Sequence, residues 1–191
     1  MSDENIKTLA ELIRVYNDEK IWVTRKCRIN SEERMKFYNR NLLSYEITLS
    51  AMISIMNFVT MKSIFDFGIL VGIYSAALTV LTIVQYKSKF GERAEQFKKC
   101  YLELSKIYDE TKLVLINNQS DRTLCFYYDD LIKKYDKILN DYENHAEIDY
   151  YFAKCDSNYR KWVIRFNIFT HRLLANIIMI SIPVAMYILR Q

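Results

Sequence analysis

Two closely spaced apolar stretches constrain the fold of this chain more than any other feature. They cover residues 42–61 and 65–86, and only residues 62–64 separate them. Each has about the 20 apolar residues that a helix needs to cross a bilayer. We therefore expect a transmembrane helical hairpin over 42–86, to which the other, highly charged residues are attached.

The scarcity of helix-breaking residues favours long helices elsewhere. Three glycines and one proline among 191 residues disfavour a turn-rich β fold or a glycine-rich nucleotide loop. The expected fold is an all-α membrane protein made of one domain. It comprises N-terminal cytoplasmic helices over 1–41, the hairpin over 42–86, a cytoplasmic antiparallel coiled-coil hairpin within 87–172 and a third transmembrane helix over 173–189. For the last segment, a helix lying at the membrane interface is the alternative.

Positive charge predicts the orientation of the hairpin. Lys and Arg are concentrated in residues 25–40 and 87–99, whereas the connecting loop offers only Lys62. Because cytoplasmic loops carry the excess of Lys and Arg, we expect the N-terminus and residues 87–172 in the cytoplasm. Residues 1–20 are charged throughout and form no secretory signal, so the first apolar stretch would direct insertion.

The first membrane helix carries a polar face formed by Glu46, Ser50, Ser54 and Asn57. A carboxylate inside a membrane is costly and usually faces protein or water. Two interpretations are open. Glu46 extends to the interface or pairs with Arg40 or another cation, or else Glu46, Ser50 and Asn57 line a water path in an oligomer.

The second membrane helix carries small residues at every fourth position: Gly68, Gly72 and Ala76. Such residues let two helix backbones approach closely in lipid. Three hydroxyl side chains follow nearly the same face: Ser75, Thr79 and Thr82. The face predicts tight packing, either against the first helix or between subunits with the hydroxyls toward a pore.

Two heptad patterns follow the hairpin. The first contains Phe90, Ala94, Phe97, Tyr101, Leu104, Tyr108, Thr111 and Leu115, and the second contains Tyr128, Leu131, Tyr135, Ile138, Tyr142, His145, Asp149 and Phe152. The short loop at 117–121 predicts an antiparallel pair. His145 and Asp149 interrupt the second pattern, and we expect them to form a hydrogen-bonded pair that fixes register, with a metal or proton-sensitive pair as the alternative.

The N-terminal region predicts two further helices. Residues 2–23 carry an amphipathic stripe formed by Ile6, Leu9, Ile13, Tyr16 and Val23. Asn30 followed by Glu33 is typical of a capping box, so a second helix is expected to start near Ser31 and to continue into the membrane.

The chemistry of the side chains disfavours an enzyme. Cys27, Cys100, Cys125 and Cys155 form no metal-binding pair, and reduced, packed cysteines are expected. No phosphate loop, nucleophile triad or metal-ligand set is present, so we expect no catalytic residue, metal or cofactor. Direct nucleic-acid binding is disfavoured because the basic residues follow the membrane boundary.

Two short motifs resemble a known family. Residues 91–104 read GERAEQFKKCYLEL and residues 143–150 read ENHAEIDY. In this order after a membrane hairpin, they resemble the SLATT domain, over about residues 20–190. The tail helix is similar to the subgroup encoded beside reverse transcriptases. The signature positions would be Arg93, Tyr101, Leu104, Asn144, His145, Asp149 and Tyr150.

The resemblance implies a function. SLATT proteins are regarded as inner-membrane effectors of bacterial conflict systems, which oligomerise into pores and arrest an infected cell when a sensor fires. The implied partners are the lipid bilayer, further copies of the chain, and a reverse transcriptase or nucleotide-signal synthase as trigger. A membrane scaffold that recruits a reverse transcriptase through residues 1–40 and 100–160 is the alternative.

Overall fold

The computed structural model describes residues 3–62, 68–117 and 120–154, and also Phe166, Thr170, Leu173 and Ile177. Every regular element in this part is helical, which confirms the all-α prediction there. The elements are α1 (Asp3–Val15), a π-helix (Tyr16–Ile21), α2 (Trp22–Lys62), α3 (Gly68–Ser88), α4 (Phe90–Ile116), α5 (Asp121–Asp141) and α6 (Glu147–Lys154). Apart from Leu173 and Ile177, the predicted third membrane helix lies outside the described residues.

The chain divides into two compact units. The first comprises residues Met1–Lys36 and Gly91–Lys154, and the second comprises Phe37–Phe90 and Cys155–Gln191. Helix α2 belongs to both, because it continues unbroken from Trp22 to Lys62. The predicted helix start near Ser31 is therefore wrong. Asn30 and Ser31 lie buried in the interior of α2, where their side chains make tertiary contacts.

The π-helix explains which residues of the N-terminal segment are buried. Ile13, Asn17 and Ile21 recur at every fourth position and are all buried. A series with this spacing drifts around an α-helix of 3.6 residues per turn. The wider turn of the π-helix, with its i→i+5 hydrogen bonds, reduces that drift. The predicted stripe contained Ile13 but missed Asn17 and Ile21.

The core of the first unit joins α1, the π-helix, α4 and α5. Its buried members are Ile13, Ile21, Cys100, Leu104, Ile107, Leu124, Leu131, Tyr135 and Ile138. Helices α4 and α5 run in opposite directions: the hydroxyl groups of Thr111 and Tyr127 are 3.0 Å apart, and Tyr142 donates to Glu103 at 2.8 Å. Because α1 and the π-helix also contribute buried residues, the core is larger than the predicted seam between two helices.

The observed buried positions differ from the predicted heptads. Cys100 and Ile107 of α4 are buried, whereas their predicted neighbours Tyr101 and Tyr108 are only half-buried. The N-terminal segment packs on this side of α4: Asn17 donates to the Tyr108 carbonyl at 3.3 Å. The second pattern does not form one helix up to Phe152, because α5 ends at Asp141 and α6 begins after five non-helical residues.

The second unit contains the rest of α2 and α3. Helix α3 has no buried residue. In the described part of the chain, one helical stretch is long and apolar enough to cross a membrane; it begins at Gly68, and none of its apolar window is buried. Lys89, with φ of 46°, separates α3 from α4. The second membrane helix therefore does not continue unbroken into α4.

Candidate functional site

A buried polar face on α2 forms the centre of the candidate site. Arg28, Ser31 and Arg34 recur every three residues and therefore lie near one another on the helix surface. Arg28 and Ser31 are fully buried, and Asn30 beside them is buried as well. Because buried polar groups require partners, this face must be covered by polar atoms from elsewhere in the first unit.

Asp149 of α6 supplies the main partner. Its carboxylate accepts two hydrogen bonds from Arg34, at 3.0 and 2.7 Å, and one from the Ser31 hydroxyl at 2.7 Å. The backbone N–H of Ala146 donates to the same carboxylate at 3.0 Å, while Asn30 donates to the Asp149 carbonyl at 2.8 Å. A fully buried carboxylate is thereby matched by a cation and neutral donors.

The segment between α5 and α6 supplies the remaining partners. Arg28 donates to the Glu143 carbonyl and, at 3.5 Å, to the Asn144 side chain, and its guanidinium carbon lies 5.8 Å from the Phe97 ring centroid. Arg93 donates to the Glu143 carboxylate at 2.8 Å. We call the complete group the clasp: Arg28, Asn30, Ser31, Arg34, Arg93, Glu143, Asn144 and Asp149.

The hydrogen bonding of this region is incomplete. Three buried atoms in its described residues have no hydrogen-bond partner: Arg28 Nε, Asn30 Oδ1 and His145 Nδ1. An unsatisfied buried polar group costs about 1–3 kcal/mol. Arg28 Nε and Asn30 Oδ1 belong to the clasp, which is therefore less stable than a fully paired network of the same size.

Electrostatics keep Asp149 ionised and His145 neutral. Burial raises the pKa of Asp149, but hydrogen bonds from Arg34 and Ser31 and the charge of Arg34 outweigh it, so the pKa lies below its ordinary value. Burial lowers the pKa of His145, and the nearby Arg28 cation lowers it further against the opposing effect of Asp149. The two residues do not form the predicted hydrogen-bonded pair, because Asp149 points to α2 and Nδ1 of His145 has no partner.

These shifts predict two acid-induced losses of stability. Below pH 6.5, the ordinary pKa of histidine, the unfolded chain takes up a proton at His145 that the folded chain resists, so unfolding becomes easier. The stabilisation due to Asp149 is complete above its ordinary pKa of 3.8 and is lost as the pH falls through the lowered folded value.

Chemical unfolding of the detergent-solubilised protein between pH 8 and 4 should show the loss of stability due to His145. His145→Gln should abolish it and His171→Gln should not, and equal pH profiles for both would contradict the assignment.

The second unit contains a different polar contact, between α2 and α3, the helices of the predicted hairpin. With its amide nitrogen toward Glu46, Gln85 of α3 donates to both carboxylate oxygens, at 2.7 and 2.9 Å. The two helices line an open groove of about 510 Å³, whose described lining comprises Leu43, Glu46, Ile47, Ser50, Ala51, Ser54, Leu78 and Thr82. The partner of Glu46 is therefore a neutral amide, which differs from the expected pairing with Arg40.

Three hydroxyl groups of α2 and α3 are satisfied within their own helices. Ser54 donates to the Ser50 carbonyl at 3.0 Å, Thr79 to the Ser75 carbonyl at 2.9 Å and Thr82 to the Leu78 carbonyl at 3.0 Å. Such bonds to the preceding turn allow a hydroxyl to face lipid without an unpaired group. These three hydroxyl groups therefore need no water molecules as partners. Because they are exposed, they are still able to line a water path in an oligomer.

The small residues of α3 are exposed: Gly68, Gly72 and Ala76. Apart from its own stretch of helix, a Cβ atom placed on Gly72 would meet no described atom within 4 Å. Tight packing of Gly72 against the first predicted membrane helix is therefore not observed among the described residues, and packing between subunits stays a prediction.

The remaining predicted residues have separate places. Leu104 is buried in the core of the first unit and Tyr101 is half-buried beside it, whereas Tyr150 and Asn57 are exposed. The Lys154 ammonium lies 4.5 Å from the Tyr150 ring centroid. No group of three or more potential metal ligands occurs among the described side chains.

The α2 half of the clasp is not predicted from the sequence. Asn30 and Ser31 match the start of a helix, and Arg28 and Arg34 belong to the cation cluster before the predicted membrane span. The available signal was the spacing of Arg28, Ser31 and Arg34, which places polar residues on one face of a helix. It gives no indication of the partner, which lies more than a hundred residues later.

Comparison with known families gives one match, to SMODS and SLOG-associating 2TM effector domain family 5 (SLATT_5), over residues 14–190. No curated protein and no solved structure matches the chain. The match extends from the end of α1 to beyond the described residues, includes both segments of the predicted hairpin and confirms the resemblance to the SLATT domain. The chain is thus a membrane protein that belongs to the SMODS and SLOG-associating 2TM effector domain family 5.

Proposed function

We propose that this protein is the inner-membrane effector of a bacterial anti-phage system that acts by abortive infection. Several copies assemble through their membrane helices and open a pore, or otherwise disrupt the membrane, when an upstream sensor is activated. The role is not enzymatic. The proposal combines membership of a two-transmembrane effector family with the exposed features of α3.

The observation that carries the proposal is the unfilled space beside Gly72. Apolar side chains alone are sufficient to anchor a helix in lipid, and they are abundant on α3. Small residues at every fourth position instead favour close approach of a second helix. Since none of this chain's described atoms occupies that space, a helix from another copy is the occupant that we propose.

The clasp provides a route from the trigger to the membrane helices. It holds residues 28–34 of α2, and the same helix continues without a break to Lys62. A trigger that separates residues 143–149 from α2 would favour a second packing of the helices, a two-state change of the kind used by many switches. In the orientation predicted by positive charge, the clasp faces the cytoplasm, where a nucleotide signal or a reverse transcriptase is accessible.

A permeability measurement tests the proposal. Bacteria that express the protein together with its triggering gene should lose membrane potential, reported by a voltage-sensitive dye, before they lyse. Glu46→Leu removes the carboxylate and leaves Gln85 unpaired in the groove, so it should delay depolarisation at unchanged protein level. Glu46→Gln removes the charge but retains an amide that can hydrogen-bond to Gln85. Comparing the two variants separates the effect of the lost charge from that of the lost contact. Growth arrest with intact potential and permeability would refute the membrane mechanism.

A membrane scaffold is the second candidate, and exposed apolar residues of the first unit favour it. Leu113 and Ile116 of α4 and Phe126 of α5 are exposed near the loop that joins these helices. They are suited to contact a cytoplasmic partner such as a reverse transcriptase. Constitutive co-purification of that partner, together with absence of conductance in liposomes under triggering conditions, would support the scaffold over the effector.

A further inference from the structure

Helix α6 exposes apolar side chains as well as charged ones. Its buried residue is Asp149, and Phe152 and Ala153 are half-buried, whereas Ile148 and Tyr151 are 48% and 59% exposed. A helix on the surface of a soluble protein normally buries its apolar stripe and exposes its charges. Hydrogen bonds to α2 account for the buried aspartate, but contact with water does not account for the apolar outer side.

We propose that the outer face of α6, formed by Ile148 and Tyr151 with Lys154 at its end, lies in the headgroup layer of the membrane and contacts anionic phospholipid. The proposal uses the membrane insertion of the chain, but it does not depend on pore formation. It assigns a second membrane contact to the protein besides the hairpin.

The clasp attaches α6 to a part of α2 that lies a short distance along the same helix from the predicted membrane span. Asp149 is bonded to Ser31 and Arg34. Arg34 precedes Leu42, the first residue of the predicted span, by eight residues, or about 12 Å of helical rise. The headgroup region extends roughly 5–8 Å beyond the hydrocarbon of each leaflet, so side chains of a helix attached at Arg34 are within reach of it.

The chemistry of the outer face suits a membrane interface. Tyrosine rings are enriched at headgroup depth because they combine an apolar body with a polar tip. Lys154 supplies a cation, and its ammonium is held 4.5 Å from the Tyr150 ring centroid. The chain after α6 is rich in basic and aromatic residues typical of interfaces, namely Arg160, Lys161, Trp162, Arg165, Phe166 and Phe169. Glu147 is exposed on the same helix and accepts a hydrogen bond from Tyr151 at 3.2 Å, but the cations outnumber it. The net positive charge complements anionic lipid, the occupant that we propose in preference to a second protein.

Quenching of tryptophan fluorescence tests the contact. The full-length protein carrying Trp162→Phe serves as parent, and Tyr151→Trp is added as the probe. The protein is reconstituted without its trigger in phosphatidylethanolamine–phosphatidylglycerol vesicles, with or without bromine near the glycerol end of the acyl chains. The added fluorescence should fall by roughly half in brominated vesicles, because an interfacial ring lies close to that depth.

Phe126→Trp provides the matched control. It also places tryptophan at an aromatic, exposed position, 68% exposed in the native chain, at the far end of α5 from the clasp. Its fluorescence should be unchanged by bromine. Ile148→Trp is a second probe on the outer face of α6 in case Tyr151→Trp disturbs folding, which circular dichroism would reveal.

Quenching at positions 151 and 148 but not at 126 would support the contact. Equal fluorescence of all three in the two kinds of vesicle would overturn it, and so would quenching of Phe126→Trp alone. Because the measurement needs no trigger and no conductance, quenching without depolarisation would leave the membrane contact standing while the effector proposal failed.

Discussion

Replacing Asp149 with alanine should lower the stability of the first unit by about 3 kcal/mol, because removing one partner of a buried ion pair leaves the other groups unpaired. The variant removes the acceptor for Arg34, for the Ser31 hydroxyl and for the Ala146 N–H. Arg34 is partly exposed and water can replace its partner, which keeps the expected loss at the lower end of the range for buried pairs. Amide hydrogen exchange across residues 143–154 should accelerate as this segment separates from α2.

Glu147→Ala is the matched control for this variant. Glu147 also carries a carboxylate and lies two residues away on α6, but it is exposed and accepts a hydrogen bond from Tyr151 only, at 3.2 Å. Its removal should change the free energy of unfolding by less than about 0.5 kcal/mol, as is usual for exposed sites. Equal unfolding midpoints and equal exchange in both variants would mean that the clasp contributes nothing to the attachment of α6.

Replacing Gly72 with leucine should abolish assembly without harming the folded monomer. Apart from its own stretch of helix, no described atom lies within 4 Å of the new Cβ, and leucine is the better helix former by up to about 1 kcal/mol. Between copies, the larger side chain would hold two helix backbones apart. We expect a smaller detergent-extracted particle by light scattering and a loss of toxicity at unchanged protein level.

Ala77→Leu separates this effect from a general change on the exposed surface of α3. Ala77 is exposed on the same helix, about 140° around it from Gly72, so the substitution adds apolar bulk outside the small-residue face. Particle mass and toxicity should remain those of the unmodified protein. If Gly72→Leu retains both properties as well, the small-residue face is not the contact between subunits, and the observation that carries the proposed function is lost.

The sequence predicted helix content well because periodicity and the scarcity of glycine and proline are local properties. Prediction from the sequence failed where packing against another helix determines which residues are buried. The heptad pattern placed Tyr101 and Tyr108 at the seam, but packing of the N-terminal segment against α4 buried Cys100 and Ile107 instead. A heptad pattern predicts the face of a helix that contacts one partner helix. It carries no information about contacts with a further segment.

The candidate site shows the same limit. The family signature pointed to Asn144, His145 and Asp149 without their partners. The side chains of Asn30 and Ser31 are equally suited to capping a helix and to hydrogen-bonding a buried residue. Their residue types therefore could not show that they bind Asp149 instead of starting a helix. The pairing of Glu46 with Gln85 was similarly hidden, because a charged partner for a carboxylate is the simpler expectation from sequence.

The π-helix has a consequence for how the N-terminus is attached. Each of its hydrogen bonds spans one residue more than those of the adjoining α-helices. Loss of a single residue between Tyr16 and Ile21 would restore ordinary α geometry and leave the preceding helix facing nearly the same way, because the wider turn accommodates one extra residue. Ile13 would then keep its place in the core that it shares with Leu131 and Tyr135. The π-helix can thus lose one residue without detaching α1, whereas loss of one residue between Ile13 and Tyr16 would turn Ile13 by about 100° away from that core.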